Sequence, residues 1–181
     1  PSTEPLLPRG DPARAIYLQA VREFGGDEIF VIAAEFDGDL FTRENLLLLQ
    51  RVHREIARLD GVRRVQSLTE ATTFRYEAEE DWLDVGPLMD EVPETPAGLA
   101  ALRSRAMGDP LLQRNLISPD GRAAGIAVRF RDMSDREFIA SQLDERIAAV
   151  LDSAAAPGVR FHVAGRPHAR ASGYRGTARD P

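Results

Sequence analysis

Apolar residues alternate with small or polar ones between Ala123 and Phe130, the spacing that is typical of a strand with one buried face. The apolar face consists of Ala124, Ile126, Val128 and Phe130. The preceding Ser118-Pro119-Asp120-Gly121 predicts a tight turn, because Pro restricts φ, Asp bonds to nearby backbone and Gly accepts a positive φ. Leu116-Ile117 before the turn predicts a short strand. The stretch therefore predicts a hairpin whose apolar face needs helices to cover it.

Three further segments have strand patterns. Ile29 to Phe36 is apolar on both alternate faces, which favours a central strand. Val62 to Leu68 has a weaker pattern, and Arg63 and Arg64 favour an edge position. Val159 to Val163 alternates cleanly and predicts a second edge strand.

Two amphipathic helices separate these strands. The first follows Thr42 and extends through Leu59, and its core stripe consists of Leu49, Val52, Ile56 and Leu59. The second begins with a capping box of Ser134 and Glu137, flanked by Met133 and Phe138 as a hydrophobic staple. Its predicted sheet-facing residues are Ile139, Leu143, Ile147 and Val150.

The order of elements and right-handed crossovers place the first and third long strands at the centre of one sheet. The predicted fold class is α/β (α+β): a ferredoxin-like βαββαβ sandwich with a mostly antiparallel sheet and helices on one face. A helical insertion, about residues 69–114, separates the second strand from the third. Within it, Thr95-Pro96 predicts the start of a helix that ends at Gly108.

The insertion mixes acidic and apolar residues. Between Thr69 and Glu94 there are nine acids against Arg75 alone. The interleaved apolar residues that we take as candidates for a binding or contact surface are Phe74, Trp82, Leu83, Leu88 and Met89. They predict either a minor core beneath the insertion or an apolar surface for another domain or a hydrophobic ligand.

Composition limits the chemistry that the chain can support. There is no cysteine, which excludes disulfides, thiolate catalysis and Cys-based metal sites. The net charge of -6 and the lack of a basic block argue against nucleic acid as a partner. The acids from Glu77 to Asp84 lack the ligand spacing of a calcium loop, which favours a solvated acidic face.

The three histidines, His53, His162 and His168, show no spacing to a nucleophile or acid that would suggest catalysis. A partly buried neutral ring is favoured over a metal ligand for His53, because no second His or carboxylate follows four residues later. The sequence therefore predicts no catalytic, cofactor or metal site, and a protein that is not an enzyme.

The two ends have a different composition. Residues 1–26 predict a proline-rich linker and a short helix ending at Gly25-Gly26, and residues 169–181 predict a flexible tail. Between them, residues 27–168 form the predicted main domain. No run approaches the roughly 18 to 20 apolar residues of a membrane span, yet the chain begins and ends as though excised from a longer protein.

Several stretches in series resemble a known family. They are FGGDE at 24–28, LDGVRRVQSLT at 59–69 and DPLLQRNLISPDGRA at 109–123. Together they resemble the first large extracytoplasmic loop of the RND superfamily of exporters, in its MMPL-like and hopanoid-exporter-like branch. The resemblance extends from about Pro5 to Pro167 and keeps the order of elements, although residues 172–181 depart from it, since a second membrane helix is expected there.

The resemblance implies a porter domain that follows a transmembrane helix, on the periplasmic side of the inner (cytoplasmic) membrane, in an integral membrane protein. Its implied partners are the transmembrane domain and the second porter loop of the same polypeptide and a lipid or other hydrophobic substrate; a homo-oligomer is compatible with it. Such exporters use the proton gradient through acids in their membrane helices, and no cofactor is implied.

If the chain is such a porter domain, the five candidate residues are expected to border a hydrophobic passage or a contact between domains. The alternative is a free-standing ferredoxin-like regulatory or small-molecule-binding module. An RNA-binding sandwich would need basic and aromatic residues on the sheet face, where the central strands have Ala, Ile and Val instead.

Overall fold

A mixed α+β fold with a mostly antiparallel sheet is present in the computed structural model, which describes residues 29–77 and 82–165. The strands are β1 Ile29–Phe36, β2 Val62–Gln66, β3 Thr72–Glu77, β4 Trp82–Pro87, β5 Ala123–Phe130 and β6 Val159–Ala164. The helices are α1 Arg43–Ala57, α2 Pro96–Gly108, α3 Pro110–Asn115, α4 Asp135–Ala140 and α5 Leu143–Ser153, with a short 3-10 helix at Leu68–Glu70. The linker, short helix and tail predicted for 1–26 and 169–181 lie outside the described residues.

Within these ranges, four strands form one sheet in the order β2-β5-β1-β6, and each neighbouring pair is antiparallel. The central positions of β1 and β5 and the edge positions of β2 and β6 are those predicted from the strand patterns. β3 and β4 form a separate two-stranded sheet.

The core lies on one face of the four-stranded sheet. Alternate residues of β1 are fully buried, whereas Val31, Ala33 and Glu35 between them are partly exposed. α1 and α5 pack against each other and contribute to the same core cluster. The predicted stripe of α1 is confirmed at Leu49, Val52 and Ile56, which are inaccessible to solvent, while Leu59 is partly buried beyond the helix end.

Side-chain caps define where several helices begin. Thr42 Oγ1 accepts a hydrogen bond from the Asn45 amide at 3.2 Å, and Thr95 Oγ1 accepts one from the Gly98 amide at 3.1 Å. Both starts agree with the sequence prediction. Ser134 and Glu137 form the predicted capping box at the start of α4.

The second amphipathic helix is divided in two, so the prediction of one continuous helix was wrong. Gln142 lies between α4 and α5 with φ of +51°, and the Ser141 hydroxyl donates to the Phe138 carbonyl at 2.8 Å. The break changes the helical register, so the core receives Phe138, Leu143, Ile147 and Leu151, with Ile139 and Val150 only partly buried. No glycine or proline marks this break in the sequence.

The insertion between β2 and β5 is not helical throughout, which corrects a second prediction. It begins with the β3–β4 hairpin and continues with α2 and α3. Asp109 caps α3, which extends to Asn115. The expected strand at Leu116-Ile117 is reduced to an isolated bridge from Ile117 to Ala124. The predicted turn follows, with the Gly121 amide donating to the Ser118 carbonyl at 2.9 Å.

Gly61 provides a test of how closely β2 and α5 pack. Its φ is +96°, and an added Cβ would lie 2.8 Å from Leu143 Cδ1. We expect Gly61→Ala to lower the free energy of unfolding by about 2–4 kcal/mol, through backbone strain and crowding in the core. Gly38→Ala is the matched control, because open space surrounds Gly38. Urea denaturation of both variants measures the difference, and equal effects would contradict this account of Gly61.

Candidate functional site

The β3–β4 hairpin carries three of the five candidate residues, and its register decides which of them share a face. Phe74 lies opposite Val85, Tyr76 opposite Leu83, and Glu77 opposite Trp82. Directly opposite residues share a face, and the faces alternate along each strand. Phe74, Tyr76, Leu83 and Val85 therefore occupy positions on one face, and Trp82 occupies a position on the other.

Exposure identifies the face that is turned away from the core. Val85 is 53% exposed, and Thr72 and Pro87 at same-face positions are also exposed. Thr73, at an opposite-face position, is only 7% exposed. We call the set of positions that share a face with Val85 in this register the hairpin face: Thr72, Phe74, Tyr76, Leu83, Val85 and Pro87. Four of these six residue types are aromatic or aliphatic.

The other two candidate residues lie below the hairpin. Leu88 is 1% exposed and belongs to the main core cluster, and its amide donates to the Ala71 carbonyl at 2.8 Å. Met89 is partly buried and packs against the same cluster. Leu88 is thus part of the main core and not of a separate minor core beneath the insertion. The proposal of a contact surface therefore applies to positions in the hairpin.

The acidic residues around the hairpin do not assemble into a metal site within the described residues, where no group of three His, Asp or Glu is placed to hold an ion. Glu79, Glu80 and Asp81 lie outside those residues. Glu94 instead pairs with Arg43, with 3.0 Å between Oε1 and Nη2.

In the same described ranges, no helix is both long and apolar enough to cross a membrane.

His53 of α1 lies in a buried polar chain. Its Nδ1 is 2.8 Å from Ser67 Oγ, which is 3.0 Å from Thr69 Oγ1. All three side chains are buried, so the Ser67 hydroxyl is not presented to solvent as a nucleophile would be. Burial lowers the pKa of His53, favouring the neutral ring that the sequence predicts. The sequence did not identify Ser67 and Thr69 as partners, because this contact arises from packing of α1 on β2.

A second polar group lies on the partly exposed face of the four-stranded sheet. Arg160 of β6 contacts Glu35 Oε1 at 3.2 Å through Nη2 and Asp37 Oδ1 at 2.8 Å through Nη1. His162 Nε2 lies 2.9 Å from Glu35 Oε2. Hydrogen bonds from Arg160 and His162 hold the pKa of Glu35 below its usual range. The sequence did not identify this cluster, because β1 and β6 are far apart in the chain. The third histidine, His168, lies outside the described residues.

No protein-family model matches the chain, and no curated protein matches it. The function proposed below therefore depends on the fold, the hairpin face and the resemblance noted in the sequence.

Truncation at two neighbouring apolar positions separates core from surface. Leu88→Ala should lower the free energy of unfolding by about 2–5 kcal/mol, because it leaves a cavity in the core. Val85→Ala should cost less than about 1 kcal/mol, since Val85 is mostly exposed. Chemical denaturation measures both, and a similar loss for the two variants would contradict the assignment of Val85 to an outer face.

Removal of one partner tests the charged cluster. Arg160→Gln should raise the pKa of Glu35 towards the ordinary value for glutamate, because the largest cause of its depression is the hydrogen bond from Arg160. Carboxyl-carbon NMR titration of Glu35 measures the shift. Arg43→Gln is the control, since Arg43 pairs with Glu94 instead. An unchanged Glu35 titration in Arg160→Gln would show that this contact is not made in solution.

Proposed function

We propose that this chain is an extracytoplasmic porter domain of a proton-driven RND-type exporter that moves lipids or other hydrophobic molecules. The fold supports the proposal. The antiparallel order β2-β5-β1-β6 is the order that a ferredoxin-like βαββαβ sandwich produces once the inserted hairpin is set aside. The sequence resemblance implies such a sandwich for the porter subdomains, so we propose that finer fold as well.

The observation that carries the function is the hairpin face. A contiguous set of apolar residues on an exposed face is characteristic of a contact with another protein surface or with a hydrophobic ligand. The exposed Val85 lies in register with Phe74, and Leu83 continues the same face. In a porter domain this face would border the substrate passage or contact the second porter loop or the transmembrane domain.

The attachment of the hairpin supports a mechanical role. Leu88 anchors its base in the core, and α2 and α3 then return the chain to the sheet, where Ile117 bridges to Ala124. An apolar face on a hairpin whose base is fixed can transmit movement between packed domains. The proposed setting is the periplasmic side of the inner membrane, in an integral membrane protein.

Polar substitution on the hairpin face tests this function in the full-length exporter. We expect Leu83→Thr combined with Val85→Thr to lower export about thirtyfold, since each change removes apolar contact area worth roughly 1 kcal/mol while strand propensity is kept. Export of a hydrophobic substrate from cells is the measurement, normalised to the amount of exporter in the membrane.

Leu111→Gln is the matched control, because Leu111 of α3 is 56% exposed, much as Val85 is, but lies away from the hairpin. It should leave export unchanged. Unaltered export in the Thr double variant, at equal protein level, would remove the role of the hairpin face.

A further inference from the structure

The buried chain formed by His53, Ser67 and Thr69 is located at the root of the hairpin. β2 ends at Gln66, the 3-10 helix Leu68–Glu70 follows, and β3 begins at Thr72. Ser67 and Thr69 therefore belong to the connection through which the chain leaves the four-stranded sheet. The base of the hairpin closes immediately afterwards, where the Leu88 amide donates to the Ala71 carbonyl.

We propose that His53 is an acid-sensitive latch: its neutral ring holds Ser67 and Thr69, and with them the base of the hairpin, against α1, and protonation of the ring releases that base. The latch goes beyond the exporter role and does not depend on it, because it follows from the packing of α1 on the start of the insertion.

The hydrogen-bond chemistry explains why protonation acts on the connection. A neutral imidazole accepts through one nitrogen and donates through the other, whereas the protonated ring donates through both. If Nδ1 accepts from Ser67, protonation reverses that bond, and the Ser67 hydroxyl has to turn towards Thr69. If Nδ1 already donates, protonation adds a second N–H and a positive charge to a side chain that is 9% exposed. In both arrangements protonation places a positive charge in a buried site, and this desolvation cost disfavours the state in which the ring is held against Ser67 and Thr69.

The charges around the ring set the direction of the effect. Burial lowers the pKa of His53 most, the Glu70 carboxylate of the 3-10 helix acts in the opposite direction, and Arg54 of α1 lowers it further. β2 and α5 also pack against α1. They contribute the exposed Arg63 and Arg64 and the buried Asp144.

The lowered pKa of His53 determines how the stability of the latch changes with pH. The unfolded chain or released segment binds a proton at the ordinary value of 6.5, above that of the latched ring. The latch therefore contributes its full stability above that pH, and the contribution is lost as the pH falls through the lower value of the folded state.

Hydrogen exchange at single amides tests the latch in the 181-residue chain. Between pH 7.5 and pH 5, we expect the protection factor of the Leu88 amide to fall about tenfold. Those of Ile32 and Ile126, at the centre of the four-stranded sheet, should stay constant. Protection factors rather than raw rates are compared, because the intrinsic exchange rate itself depends on pH. His53→Gln keeps a donor and an acceptor without titrating, so its Leu88 protection should not change with pH.

His162→Gln is the matched control, since His162 is exposed on β6 and bonds to Glu35. It should retain the wild-type pH dependence at Leu88. The latch is excluded if His53→Gln loses Leu88 protection at acid pH as the wild type does, or if Ile32 and Ile126 lose protection in parallel with Leu88.

A titration of the unmodified chain gives a second test that does not require any variant to fold. NMR signals of the His53 ring and of the Ala71 and Leu88 amides should change with one common midpoint below pH 6.5. Separate midpoints for the ring and for the hairpin base would overturn the proposal.

Discussion

The pairing of β1 with β5 is the constraint on which the other features of the structure depend. Ile32 lies opposite Ile126, and both are completely buried between the sheet and its helices. A shift of this register by one residue would exchange the buried and exposed faces of a whole strand. The same register thus determines which side of the sheet receives α1 and α5, and it places Glu35 on the other side, opposite Arg160.

The inserted hairpin depends on that sheet for its stability. A two-stranded hairpin is marginal by itself in water and needs packing against other elements. At its root Ala71, Thr73 and Leu88 are buried, while Val85 farther along the strand is exposed. The root therefore combines two kinds of contact: apolar burial of Leu88, which pH does not affect, and the polar chain from His53, which pH does. This separation allows the root to be loosened without dissolving the core.

Local signals predicted much of the fold. The apolar alternation of β5, the cap at Thr42 and the capping box at Ser134 depend on residues close in sequence, and each is present in the structure. The break at Gln142 left no such signal, since neither glycine nor proline occurs there. Asp109-Pro110 does contain a local signal for a helix start, because it repeats the pattern of an N-cap followed by proline at Thr95-Pro96. The sequence analysis did not use this signal, because it assigned the following residues to a strand.

The candidate site was harder to predict than the fold, because register and burial decide it. The five apolar residues of the insertion look equivalent in sequence, yet Leu88 is in the core and Trp82 occupies a position opposite the hairpin face. The histidines make the same point. His53 and His162 each follow an apolar residue in sequence, but one ring is buried against Ser67 and the other contacts Glu35 at the surface.

The acidic character of the insertion has a physical reason that does not require a bound cation. An exposed strand pair with an apolar face is prone to pair with strands of other molecules, and nearby charges oppose that association. Nine acids against one arginine between Thr69 and Glu94 supply such charges around the hairpin. They repel a second acidic copy of the same segment while leaving the apolar face available to a partner of different charge.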